Sequence, residues 1–104
     1  MPATSVDPDR LLRAARLIEP LSHPLRLRIV LHLQESGEQN VGRIVDAMGR
    51  PQPEVSRQLL RLAGDGLLQR RRDGHHVLYQ LAASGLVQLL IFLDEWVGAL
   101  GPLG

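Results

Sequence analysis

Residues 41–81 read VGRIVDAMGRPQPEVSRQLLRLAGDGLLQRRRDGHHVLYQL, and the breaks in this stretch decide the fold. Asn40 is placed to cap a short helix from Val41 to Met48, with Val41, Ile44, Val45 and Met48 turned inward. Gly49-Arg50-Pro51 makes a turn. A second helix opens around Gln52-Pro53-Glu54 and runs to about Gly64, its Val55, Leu59 and Leu62 sharing one face at i, i+4 and i+7. The period then changes. Leu67 to Arg72 and His75 to Leu81 read as extended runs either side of Asp73-Gly74. That pair is a strong signal for a type I′ hairpin turn, in which both central residues need positive φ. Val77, Tyr79 and Leu81 alternate as a strand with one buried face should.

Working outward, Asp7-Pro8 supplies a cap and a proline at the first helical position. Leu11, Leu12, Ala15 and Ile18 follow as an apolar stripe ending near Pro20. Ser22 is expected to cap the next helix, where Leu25, Ile29 and Leu33 are spaced helically and Gly37 stops the run. Ser84 is expected to cap a last helix reaching about Leu100. The predicted order is α-α-α-α-β-β-α: mainly helical with a small β-hairpin, a winged helix-turn-helix. Within one domain, residues 41–64 form the helix-turn-helix, 67–81 the wing, and 7–20 and 84–100 helices available for dimerisation.

A length of 104 residues fits one domain. The net charge is only +1, but it is unevenly spread. Between Arg43 and His76 seven arginines face four acids, and the ends of the chain are mildly acidic. A basic middle suits one face that meets a polyanion. Without cysteine there is no disulfide, thiolate ligand or thiol redox chemistry. The N-terminus lacks the basic and apolar regions of a signal peptide, and the apolar stretch 86–100 is broken by Gln88, Asp94 and Glu95. A cytoplasmic protein is expected.

With Val55 at the centre of the buried face, a spacing of about 100° per residue puts Glu54, Arg57 and Arg61 opposite it and Ser56 at the flank. Exposed arginines can fork to guanine or bind phosphate, and serine and glutamine can bind either. The plain alternative is a solvated face on which Glu54 pairs with Arg57. The hairpin weighs against it, because Arg70, Arg71, Arg72, His75 and His76 crowd a short ribbon where self-repulsion needs a polyanion. The last helix carries Leu86, Val87, Leu89, Leu90, Ile91, Phe92, Leu93, Trp96, Val97 and Leu100, apolar almost all round. One small domain covers one side of such a helix. Pairing Leu11, Leu12, Ala15 and Ile18 with Leu89, Leu90, Leu93, Trp96 and Val97 across a two-fold axis would bury both helices. It would also set two recognition helices about 34 Å apart.

The segment Leu21-Ser22-His23-Pro24-Leu25-Arg26-Leu27-Arg28-Ile29-Val30 resembles the opening signature of the ArsR/SmtB family. Val41-Gly42-Arg43-Ile44, Val55-Ser56-Arg57-Gln58-Leu59 and the run Asp65 to Gly74, closed by Tyr79-Gln80-Leu81, are similar to its later blocks. The resemblance covers residues 10 to 81. It implies a homodimeric, sequence-specific DNA-binding regulator, a repressor released by a signal. Gln52, Ser56 and Arg57 would face DNA, and the wing arginines would lie on phosphates or in the minor groove. Pro51 and Pro53 stand where polar residues often start the recognition helix, and Glu54 puts a negative charge beside the DNA, where it could accept from cytosine N4. The expected DNA-facing set is thus Gln52, Pro53, Glu54, Ser56, Arg57, Arg61, Arg70, Arg71, Arg72 and His75.

Relatives of this type often sense metals, but the chain lacks both common sites. Val41-Gly42-Arg43 occupies the place of the thiolate site, and no histidine follows His76 to join Asp94 and Glu95. Nor is there a thiol near His32 for persulfide sensing. No metal or other cofactor is expected, and the effector is unassigned. His23 is expected to cap or pack at a helix start and His32 to lie on the surface. His75 and His76, adjacent on a strand, would point to opposite faces and chelate poorly. No phosphate loop, nucleophile elbow or ligand cluster suggests an enzyme. The competing reading is a dimeric protein-interaction module that kept the winged fold without specific DNA binding.

Overall fold

The computed structural model describes residues 5–82 and 84–102, the side chains of Ser84 and Gly85 excepted. Helix α1 (Pro8–Ile18) starts where Asp7 Oδ1 accepts from the Asp9 amide at 2.9 Å. It ends two residues earlier than the sequence suggests and passes into a 3-10 turn, Glu19–Ser22. Ser22 does not cap the following helix. Its hydroxyl donates back to the Glu19 carbonyl at 2.9 Å, and His23 occupies the cap position of α2 (Pro24–Ser36) without a side-chain bond. Ser22 lies inside the 3-10 turn, one residue too early, and the extended residue from which α2 starts is His23 (φ −83°, ψ 120°). The predicted Ser84 cap of α5 (Ser84–Leu100) rests on a side chain outside the described residues.

Asn40 caps α3 (Val41–Met48) as its spacing predicts, with Oδ1 accepting from the Arg43 amide at 2.9 Å. Gly49, at φ +63°, adopts the left-handed conformation that turns the chain into α4 (Gln52–Gly64). Two arginines of α2 hold this pair of helices. Arg28 donates to the Met48 carbonyl at the end of α3 (3.1 Å), and Arg26 Nε donates to Oε1 of Gln58 on α4 (2.7 Å).

The sheet has three strands where the sequence predicts two. Strand β1 (Gln39–Asn40) pairs antiparallel with β3 (His76–Leu81), which pairs with β2 (Leu68–Asp73), giving the order β1-β3-β2. Two residues are too few to show a period of two. The hairpin turn also lies one residue later than predicted. Asp73 pairs with His76, so the loop is Gly74-His75, and Gly74 alone has positive φ (+61°). A glycine first and an ordinary residue second fits a type II′ turn and not type I′. His75 is therefore a loop residue and not on the strand with His76.

The core gathers Ile29, Val30 and Leu33 of α2, Ile44 and Met48 of α3, Val55, Leu59 and Leu62 of α4, Tyr79 of β3, and Leu86 and Leu90 of α5. Val41 and Val45 pack half-buried at its edge. Leu90, expected at a subunit interface, is 7% exposed and belongs to the chain's own core. The helical period alone cannot say which leucine of an all-round apolar helix turns inward. By contrast α1 buries no residue and packs mainly on the 3-10 turn. Among the described residues no helix is long and apolar enough to cross a membrane.

Candidate nucleic-acid interface

The side of α4 away from the core and the inner face of the hairpin enclose a cleft of about 460 Å³. Gln52, Ser56 and Leu60 line it from α4, and Asn40, Val41 and Gly42 from the start of α3. Arg70, His75, His76, Val77 and Tyr79 line it from the hairpin. Residues from Asn40 to Tyr79 thus converge on one concave surface. Gln52, Ser56, Arg70 and His75, all expected to act together, meet here. Pro53 and Arg57 are exposed on the outermost side of α4.

Strand pleating sorts the three consecutive arginines. Arg70 and Arg72 sit opposite Tyr79 and Val77, on the cleft side, whereas Arg71 sits opposite Leu78 on the other face. There the Arg71 guanidinium donates twice to Glu38, at 2.7 and 2.8 Å. Those hydrogen bonds hold the Glu38 carboxyl below the usual carboxylate range and raise the Arg71 pKa further. Glu38 is therefore ionised at neutral pH and neutralises Arg71. Beside this pair Gln80 donates to Gln69 across the strands at 3.1 Å. By strand parity Arg71 faces away from the side of Arg70 and Arg72, although Arg70 also borders the hollow that Arg71 forms with Glu38, Gln69 and Gln80.

Two of the expected α4 residues are also engaged elsewhere. Arg50 donates to both carboxylate oxygens of Glu54, at 2.9 and 3.0 Å. The partner of Glu54 is thus the arginine four residues before it and not Arg57. Arg61 lies 3.6 Å from Asp65. Arg57, Arg70 and Arg72 make no side-chain hydrogen bond or ion pair among the described residues.

His32 is not a simple surface residue, since its Nε2 hydrogen-bonds Gln39 of β1. His23 has a buried Nδ1 without a partner among the described residues. In the same set no three histidine or carboxylate side chains gather as metal ligands would.

Away from the cleft, Leu11, Leu12, Ala15 and Ile18 of α1 are exposed, and so are Ile91, Phe92, Trp96, Val97 and Leu100 of α5. Leu89 and Leu93 are half-buried, and Phe92 stacks on Trp96 with ring centroids 6.3 Å apart. An apolar groove of about 360 Å³ between Leu17, Ile18, Leu67, Leu86 and Leu89 joins the two helices. Exposed apolar surface of this extent marks an interaction site in soluble proteins.

Helix, tight turn, helix and hairpin around a basic cleft define a winged helix-turn-helix transcriptional regulator. A family model described as a helix-turn-helix domain matches residues 21–71. The HTH-type transcriptional repressor SmtB of Mycobacterium tuberculosis is 40% identical over 85 residues, 81% of this chain and 62% of that repressor. The chain therefore spans less than two thirds of that relative's length. The crystal structure of the transcriptional repressor BigR from Xylella fastidiosa superposes with a TM-score of 0.75 at 36% identity, over 82% of this chain and 86% of that one. A homodimeric winged helix-turn-helix DNA-binding domain from Mycobacterium bovis gives 0.75 at 30% identity, over 100% and 94%. The chain belongs to the ArsR/SmtB family of transcriptional regulators, a family of regulators and not of enzymes.

Proposed function

We propose that this protein is a homodimeric repressor that binds an operator duplex in a sequence-dependent way and leaves it in response to a signal. The observation that carries the reading is the cleft, where the polar side chains of α4 share one surface with Arg70 of the hairpin, and strand parity puts Arg72 on the same side. Helix α4 enters the major groove with Gln52, Pro53, Ser56 and Arg57 toward the bases. Arg70, Arg72 and His75 follow the flanking backbone. The exposed faces of α1 and α5 join two copies, so that two recognition helices meet successive turns of DNA. Residues 41–64 and 67–81 then read the duplex, and 7–20 with 84–100 hold the dimer together. Glu54, Arg61 and Arg71, held by neighbouring charges, contribute through the shape of the surface.

The test is fluorescence anisotropy of a labelled duplex from the gene's upstream region against a scrambled duplex, at two salt concentrations. Tighter, salt-dependent binding to the native duplex is expected. Arg57→Ala should cost roughly 1–3 kcal/mol on the preferred duplex and much less on the scrambled one. Arg72→Ala should weaken both and lower the salt slope by about 0.9, the share of one neutralised phosphate. Equal losses on both duplexes for Arg57→Ala would remove it from base recognition. An absence of binding at low salt would favour the interaction module.

Glu38→Gln provides an internal check on the sorted arginines. Releasing Arg71 adds one uncompensated positive charge to the wing. Affinity for any duplex should rise slightly, and the salt dependence should steepen by at most about 0.9. A weaker, less salt-dependent variant would show that the Glu38–Arg71 pair positions the wing and does not merely silence a charge.

A further inference from the structure

Leu60, which lines the cleft, has none of the roles above. Leu60 is 56% exposed, while Val55, Leu59 and Leu62 of the same helix are fully buried. A single exposed leucine needs no explanation by itself, but this one lies on the stripe Gln52–Ser56–Leu60, at i, i+4 and i+8, and lines the cleft. At about 100° per residue it points between Ser56 and Arg57, the two side chains best placed to meet bases. Its surroundings combine two characters. Val41, Leu59 and Val77 give the cleft an apolar floor, and Arg70 and His75 give it a polar rim. The helix and turn pattern hides Leu60, because it falls between the apolar positions of α4 without joining them.

Within the DNA-binding reading, on which this step rests, an apolar side chain among polar and basic ones needs a particular partner. The major groove presents one apolar group, the 5-methyl of thymine, and side chains read it by apolar contact. We propose that Leu60 is a specificity-determining residue that packs against a thymine methyl in each operator half-site. It discriminates thymine from cytosine by contact with carbon, while Gln52, Ser56 and Arg57 supply the hydrogen bonds.

The probe is the tightest-binding duplex recovered from random DNA by selection on the wild-type protein. It is resynthesised with deoxyuridine in place of thymine, one symmetric pair of positions at a time. Deoxyuridine removes the methyl and leaves every hydrogen-bonding group of the base in place. Wild type should lose about fourfold in affinity per half-site at one such pair, the worth of one buried methyl group. Leu60→Ala should bind the thymine duplex as weakly as wild type binds the deoxyuridine duplex, and should be indifferent to the exchange. Leu60→Met, which keeps an apolar reach, should retain the sensitivity. Wild-type indifference at every position, or undiminished sensitivity in Leu60→Ala, would overturn the assignment while leaving DNA binding intact. If selection recovers no preferred duplex, both the assignment and the DNA-binding reading fall.

Discussion

Trp96→Glu is expected to convert the proposed dimer to monomers and to reduce affinity for the duplex proposed as its operator by about two orders of magnitude or more. Trp96 is 55% exposed and stacked on Phe92, outside the protomer core, so a carboxylate there leaves the fold intact. In a dimer joined through α1 and α5 the same carboxylate would be buried without a partner, and an unpaired buried charge is far more costly than the apolar packing it replaces. Once the copies separate, each recognition helix binds alone. The gain from tethering two modules, roughly 10²–10⁴-fold, then disappears. Sedimentation should show one species of monomer mass, while anisotropy should retain weak binding to scrambled duplex. A variant that stays dimeric would place the subunit contact elsewhere than α5.

Arg26→Ala should lower stability by roughly 1.5–3 kcal/mol, the range for a hydrogen bond to a charged group. For a domain of this size that is a fall in melting temperature of about 4–8 °C per kcal/mol. Gln58 is 9% exposed and is the one buried polar residue among those described. Its carbonyl oxygen accepts from Arg26, whose Nη1 also reaches the Pro20 carbonyl at 3.3 Å. Truncation leaves the buried acceptor on α4 unpaired. Replacing both partners by leucine should cost less than Arg26→Ala alone, since no acceptor is then orphaned. Thermal denaturation of the two variants and the wild type tests this, and a double replacement that costs as much as Arg26→Ala or more would mean that the two side chains do not act as a pair.

Much of the fold around the cleft can be read from residues 41–81, because caps, glycines and apolar periods act locally. Asn40, Gly49 and the spacing of Val55, Leu59 and Leu62 place both helices as the pattern predicts. Some interactions that escape the sequence reading are local, such as Arg50 with Glu54, but those that tie the elements together depend on distant residues. Glu38 and Arg71 are 33 positions apart, and Arg26 and Gln58 are 32 apart. Strand β1 forms because β3 is there to receive it, and its two residues carry no pattern of their own. The hairpin turn differs from the predicted one by a single residue because glycine serves either central position. Here the pairing of Asp73 with His76 decides between them.

That single residue of register has a consequence for how the wing's charge can change over time. Three arginines in succession cannot all face one way on a strand, so parity divides them: two toward the cleft and one toward Glu38. Deleting Gln69 would keep every arginine yet exchange the two sides. The cleft would then hold one arginine and the acid would face two. Net charge would be untouched while the surface changed. In this hairpin the phase of the strand, as much as the number of its charges, sets which surface is basic.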